Sequence, residues 1–281
     1  MSLAAKLPYD HPYAGGYPGI GSQPLPTDAD AIDYLSRMAT ADGAGVEVGV
    51  ATAVDAFFRD TKAAGVFDAL KACCILCGAR TITGALVPLV GTAPTAQGGW
   101  ASGDYSRTAG MTGDGNALYL DANVANDSDF GGSVTDPQND NHNAVYATAI
   151  AVTNGVFIAS GNADHLAAGT NVLAGGTSNN VFGRNRSAAG TDTGSLPTAG
   201  FIAANRSVSG EYVVRNGESE TTASVASETP TSDNILVFRR GSGSFAYGAH
   251  TIAFYSIGTS LSLADLDTAV TNLITAIGEA L

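Results

Sequence analysis

Glu218-Ser219-Glu220 and Cys74-Ile75-Leu76-Cys77 are the two clusters whose residue types and spacing come nearest to catalytic or metal chemistry. Carboxylates two positions apart on a strand share a face, and a glycan hydrolase needs two acids flanking the sugar bond. A Glu-x-Asp-x-Glu strand would supply them, but the third acid is missing here and the pair follows directly on Asn216-Gly217, a turn signal. Hydrolysis is therefore not expected. Cys73 adds a third thiol to the Cys74–Cys77 pair, whereas a structural zinc site wants four ligands, usually two such pairs. The chain has 3 cysteines and its 4 histidines are distant in sequence. On a strand Cys73 and Cys77 face one way and Cys74 the other, and free cysteine is among the most buried residue types. No Gly-x-Ser-x-Gly elbow, P-loop or paired histidine at helical spacing occurs.

Residues 121–143 hold Asp121, Asp127, Asp129, Asp136 and Asp140 among several asparagines. Oxygen ligands at this density suit Ca²⁺, with Asp127 and Asp129 the weak candidates. The later Gly and Glu of an EF-hand are absent, and Asx turns account for the same residues. No cofactor is expected. For a sugar, Trp100 and Tyr105 lie in a Gly-rich stretch and offer aromatic faces. Arg184 and Arg206 stand beside asparagines near strand ends, as do Arg186 and Arg215. Trp100, Tyr105, Arg184 and Arg206 are thus the glycan-contact candidates. The competing reading is a core or interface Trp and arginines lying over apolar strands.

The elements that must position these groups are mainly short strands. Phe201 to Ser207, Glu211 to Glu218, Ile235 to Arg240 and His250 to Gly258 are apolar-rich runs separated by turn residues. Asn216-Gly217 and Asn154-Gly155 each predict a two-residue hairpin, since a type I′ turn needs φ > 0 at both central positions. The second would join strands at 144–153 and 156–160. Lys71 to Cys77 fits a buried strand, and further strands are expected at 105–111, 117–120 and 180–184. Helices are expected from Thr27, as N-cap, to about Gly43, and from about Val48 to Ala64, with a helical turn at 66–70. A last helix fills 262–281, capped by Ser262 and Asp265, with Leu263, Leu266, Val270, Leu273, Ile274 and Ile277 on one face.

Composition limits the partners. The net charge of −13 gives no basic patch to displace counterions from nucleic acid or to dock on an anionic membrane. No run of 18 apolar residues spans a bilayer, and no signal-peptide core follows Met1. A reducing cytosol with free thiols is the expected site of synthesis. Residues 1–26 form a Gly/Pro/Tyr-rich arm unsuited to helix or regular strand. Such an arm has no core of its own, and Tyr9, Pro12, Tyr13, Tyr17 and Pro18 are its expected contacts with a partner chain.

Three stretches carry a resemblance. Asn205-Arg206-Ser207, Tyr212 to Gly217 and Ala253 to Leu261 resemble the concanavalin A-like (laminin-G-like) jelly roll of many tailed-bacteriophage virion proteins. Asp136 to Tyr146 and the lead-in from Phe57 to Leu70 fit the same pattern, so the likeness runs from about 28 to 281. It implies a mainly β, antiparallel jelly-roll sandwich at 71–281, a helical lead-in at 27–70 and an attachment arm at 1–26. It further implies a non-enzymatic virion surface protein (head decoration, head fibre, tail fibre or baseplate component). Its implied partners are other virion proteins, copies of itself, with a trimer favoured, and a host surface glycan if the domain is an adhesin. Neither nucleic acid nor membrane insertion is implied.

Overall fold

The computed structural model describes residues 26–151, 155–162, 164, 166–241 and 247–281. The arm contacts Tyr9, Pro12, Tyr13, Tyr17 and Pro18 lie outside the described residues, as does Asn154.

Two helices open the described chain, α1 (Ala29–Asp42) and α2 (Val48–Ala63). The cap of α1 is Asp28, one residue later than expected: its carboxylate accepts from the Asp30 and Ala31 amides. Thr27 instead donates its amide to Asp55 Oδ1 at 2.7 Å. Asp28 also pairs with Lys62 at 2.7 Å, which ties the start of α1 to the end of α2. Gly43, at φ 66°, closes α1 in a left-handed turn that glycine adopts without a Cβ penalty.

The strands are β1 (Leu70–Ile75), β2 (Thr95–Gln97), β3 (Tyr105–Ser106), β4 (Gly110–Thr112), β5 (Tyr119–Ala125), β6 (Asn141–Ala149) and β7 (Val156–Ser160). They continue as β8 (Thr170–Gly175), β9 (Asn180–Ser187), β10 (Thr191–Ser195), β11 (Gly200–Val208), β12 (Glu211–Asn216), β13 (Ser219–Ala223), β14 (Asn234–Val237) and β15 (Thr251–Gly258). A short α3 (Ile82–Ala85) follows β1, and α4 (Leu263–Ala280) ends the chain. Ser262 Oγ accepts from the Asp265 amide at 3.3 Å, so α4 begins where the sequence placed it.

Among the described residues these strands make two antiparallel sheets. The first runs β13-β12-β11-β6-β15-β4-β3, with β1 also paired to β15. The second runs β10-β9-β8-β7-β14-β5-β2. The Asn216-Gly217 hairpin is present between β12 and β13, but its loop residues are Gly217 and Glu218, because Asn216 pairs with Ser219. Gly217 takes the positive φ of 56° at the first loop position. The predicted hairpin at Asn154-Gly155 does not form as expected. β7 pairs with β8 and β14 in the second sheet, while β6 stays in the first. The chain crosses between sheets there instead of folding back beside itself.

The molecule has three layers. Between the sheets, β6 contributes Val145 and Ala147, β11 Ile202 and Ala204, β15 Ile252, Tyr255 and Ile257, and the second sheet Leu120, Phe157, Leu173 and Val181. A separate core lies on the far side of the first sheet. There Ala144, Phe201, Ala203 and Phe254 meet Tyr34, Leu35 and Met38 of α1, Val50, Val54, Phe57 and Phe58 of α2, and Leu266, Val270 and Ile277 of α4. The first sheet is thus buried on both faces, which explains why all eight residues of β15 are buried in place of a half-exposed alternation. The cysteines follow the expected alternation: Cys73 and Cys77 enter the helical core and Cys74 the inter-sheet core. All three are free and buried.

Candidate functional site

α1, α2 and α4 cover the first sheet; on the second sheet β7 and β8 are buried on both faces, and the outer face opens around Phe182 and Asp192 of β9 and β10. Strand alternation decides what it displays. Val181 and Leu173 point between the sheets, so Phe182 and Ala174 point outward. The registers then align a row across four strands: Asp192 of β10 opposite Phe182 of β9, Phe182 opposite Ala174 of β8, and Ala174 opposite Val156 of β7.

This row floors an open pocket of about 390 Å³. Leu166, Thr177, Gly155, Gly175, Gly176 and Arg240 complete its lining. The glycine backbone keeps the rim low on one side. Leu166 projects from the other and is 53% exposed. Phe182 packs against the small apolar cluster of Val156, Ala159, Val172 and Ala174. One exposed carboxylate, Asp192, and one guanidinium, Arg240, bracket the apolar floor. Burial holds Arg240 below the ordinary arginine pKa. Next to it, Arg239 is stacked on Tyr119 and Tyr247, 4.5 and 5.1 Å from the ring centroids. An apolar floor with one aromatic ring and a few polar groups at its border is the usual chemistry of a small-ligand site. One carboxylate does not make a hydrolytic pair.

The four glycan-contact candidates from sequence are not gathered here. Trp100 leans on Phe238 with centroids 5.5 Å apart and donates Nε1 to Tyr119 O at 3.2 Å, so it closes the inter-sheet core. Tyr105 donates its hydroxyl to Ala79 O at 2.7 Å, and burial pushes its pKa above the ordinary tyrosine value. Arg206 is wholly buried, and its guanidinium donates to the carbonyls of Asn185, Val208, Ser209, Glu211 and Val225. It clamps loops from inside and cannot meet an external sugar. Arg184 is 4% exposed and donates to the Leu166, Ala167 and Ala188 carbonyls at 2.6, 2.8 and 3.1 Å. It touches the pocket only through Leu166, whose backbone it fixes. Both arginines are buried, not surface contacts: backbone carbonyls take all the hydrogen bonds of Arg206 and most of those of Arg184, whose Nε has no partner, so neither is held by a carboxylate.

Asp127 and Asp129 are exposed on the loop after β5, and Asp129 Oδ1 accepts from the Gly131 amide at 3.0 Å in an Asx turn. Among the described residues no group of three or more His, Cys, Asp or Glu side chains is placed to hold a metal. Glu220 pairs with Arg215 at 3.0 Å on the first sheet, whereas the pocket row lies on the second.

No family model matches the chain, and no curated protein matches it in sequence. Solved structures do. The carbohydrate-binding module CBM40 of the Ruminococcus gnavus IT-sialidase, bound to α2,3-sialyllactose, is 15% identical at a TM-score of 0.38, over 52% of this chain and 90% of that one. Domains LG4-5 of the mouse laminin α1 chain are 16% identical at 0.34, over 44% and 37%. A Trypanosoma rangeli sialidase complexed with 2,3-difluorosialic acid is 8% identical at 0.43, over 78% and 37%. The chain folds as a mainly β sandwich of two antiparallel sheets. Helices flank it at both ends of the described chain.

Proposed function

We propose that the chain is a non-catalytic display module whose second sheet binds a glycan in the Phe182 pocket. One observation carries this reading: on the side of the sandwich away from the helices, an open pocket exposes part of the Phe182 ring between Asp192 and Arg240. The partly exposed Phe182 ring in an apolar floor offers a surface for the C–H face of a pyranose, and Asp192 and Arg240 line the same pocket, within reach of hydroxyl or acidic substituents. A pocket of about 390 Å³ falls in the range of small-ligand sites and suits one or two sugar rings. The single carboxylate in the lining supports binding without turnover.

The sequence resemblance supports a virion setting for this module, with the helical side turned toward the particle and residues 1–26 as the attachment segment. Deleting residues 1–26 is expected to leave a folded chain that no longer enters particles. Normal incorporation of the truncated chain would sink that part of the proposal.

Glycan binding is tested by an array followed by titration of the strongest hit. Phe182→Ala is expected to weaken binding by about tenfold or more, the loss of roughly one stacked ring. Gly190→Ala offers a gentler probe, because a methyl group there presses on the far edge of the Phe182 ring. Binding unaffected by both substitutions would place the glycan elsewhere.

A further inference from the structure

The space between the sheets is apolar along most of its length and turns polar at one end. On each strand the change falls in step with alternation. Val145 and Ala147 of β6 face the second sheet, and so do Asn143 and Asn141 before them. Ala204 of β11 gives way to Arg206, Leu173 of β8 to Asn171, Val181 of β9 to Asn185, and Val124 of β5 to Asn126 just beyond that strand. All these polar side chains are buried.

They form one connected layer. Asn141 lies opposite Arg206 in the β6–β11 register, and Arg206 Nε crosses to Asn185 O at 3.0 Å. Asn185 is opposite Asn171, whose Nδ2 donates to Asn126 Oδ1 at 2.7 Å. Asn126 Oδ1 also accepts from Arg186 Nε, and its backbone oxygen accepts from Arg186 Nη2. Arg186 is 2% exposed and sits at φ 44°, a left-handed conformation that costs energy for a side chain this large.

Two features of this layer are unbalanced. First, Arg186 and Arg206 bring two guanidiniums between the sheets, while the buried carboxylates among the described residues, Asp55 and Asp267, belong to α2 and α4. Among the described residues no ion pair involves Arg186 or Arg206. Asp127, Asp136 and Asp140 act on Arg186 only from a distance. Second, donors that should be satisfied are not. Arg186 Nη1 and the Nδ2 atoms of Asn141 and Asn185 have no hydrogen-bond partner, although each is buried. An unmade bond at a buried donor costs about 1–3 kcal/mol, and more at a charged one. Burial and the neighbouring Arg206 lower the Arg186 pKa to about 9, which still leaves it charged at neutral pH.

We infer that this polar layer is a binding site for a small monovalent anion of the halide class, held by Arg186 Nη1 and the side-chain amides of Asn141 and Asn185. An anion answers both imbalances at once: it takes up unpaired donors and compensates a buried positive charge. The amide oxygens of Asn141, Asn143 and Asn185, which also lack partners, suit water accompanying the ion. The site is separate from the Phe182 pocket, which lies on the outer face of the second sheet, and it does not depend on the glycan reading.

The test uses bromide. Crystals of the full chain are soaked in sodium bromide and anomalous scattering is recorded at the bromine edge. A peak in hydrogen-bond contact with Arg186 Nη1 is expected. In solution, the melting midpoint is expected to be higher in chloride or bromide than in gluconate at equal ionic strength. Asn185→Ala should raise the bromide concentration for half-maximal stabilisation by about tenfold, one lost hydrogen bond to a charge. Should that variant not fold, Asn141→Ala serves the same purpose. A layer filled by water without an anomalous peak overturns the inference. A peak with no anion-dependent shift in the midpoint overturns it equally, since the site then holds an adventitious ion only.

Discussion

Arg215 Nε lies 2.8 Å from Asp267 Oδ2, joining β12 of the first sheet to α4 with side chains only 10% and 12% exposed. Burial alone would lower the Arg215 pKa, but the Asp267 and Glu220 carboxylates together hold it above the ordinary value. Asp267 Oδ1 accepts from Thr271 Oγ1 at 3.1 Å, so the carboxylate is used on both oxygens. Removing Asp267 leaves the buried guanidinium with only the half-exposed Glu220. Asp267→Ala is expected to cost about 3 kcal/mol in urea unfolding. Replacing both residues, Arg215→Met with Asp267→Leu, should recover most of that loss. A single-variant loss below about 1 kcal/mol would show that water screens the pair.

His142 and His250 are fully buried. His142 Nδ1 donates to Thr259 O at 2.6 Å, leaving Nε2 to accept from Ser256 Oγ at 2.9 Å, the pattern of a neutral ring. His250 is stacked on Phe157 with centroids 4.1 Å apart. Burial lowers both pKa values to about 4. The unfolded chain binds these protons at about pH 6.5 and the folded chain near pH 4. Between those limits the unfolded state holds more protons, so stability falls as pH falls. Denaturant midpoints are expected to be flat above about pH 7 and to drop steadily from pH 6.5 toward 4. His142→Gln should flatten part of that slope; an unchanged slope would contradict the assignment.

Burial pushes the Cys74 and Cys77 thiols up to about 12, and Cys73 well above its ordinary value. Thiolate is the reactive form. Native protein at pH 8 should therefore react negligibly with a disulfide reagent, and all three thiols should react once the chain is unfolded. Fast labelling of even one thiol in the folded state would place it nearer the surface.

Gly110 sits at φ 104° with its open side against Ile252 and Ala253 of β15. A methyl group there faces both an unfavourable backbone conformation and a collision with a central strand. Gly131, at φ 72°, has open space around it. Gly110→Ala is expected to cost at least about 2 kcal/mol and Gly131→Ala about 1 kcal/mol. Equal losses from thermal unfolding would show that β4 yields to accommodate the methyl.

Much of the frame was legible because it rests on local signals. The caps at Ser262 and near Asp28, the alternation of Cys73 to Cys77 and the β12–β13 turn each depend on a few adjacent residues. The asparagine–glycine signal at 154–155 misled because a turn residue cannot report which sheet the next strand joins. Arg184 and Arg206 misled because a lone arginine is ordinarily a surface residue, and only carbonyls from distant loops make their burial tolerable. Phe182 lay inside a correctly read strand. Its outward direction follows from Val181, but the row with Asp192, Ala174 and Val156 is a matter of register, which pairing across strands decides. The polar layer was likewise hidden, since its asparagines come from four separate strands or their ends.

The pairing of β1 with β15 has a consequence for how the molecule is made. Leu70 meets Gly258 and Ile75 meets Phe254 across about two thirds of the chain. β15 also holds β6 and β4, so the first sheet lacks that linking strand until residues 251–258 have been synthesised. Contacts of such long sequence separation form slowly. β6, β11, β12 and β13 can pair among themselves, but β1 and β4 cannot join them until β15 has been made, and α4 then covers the completed sheet.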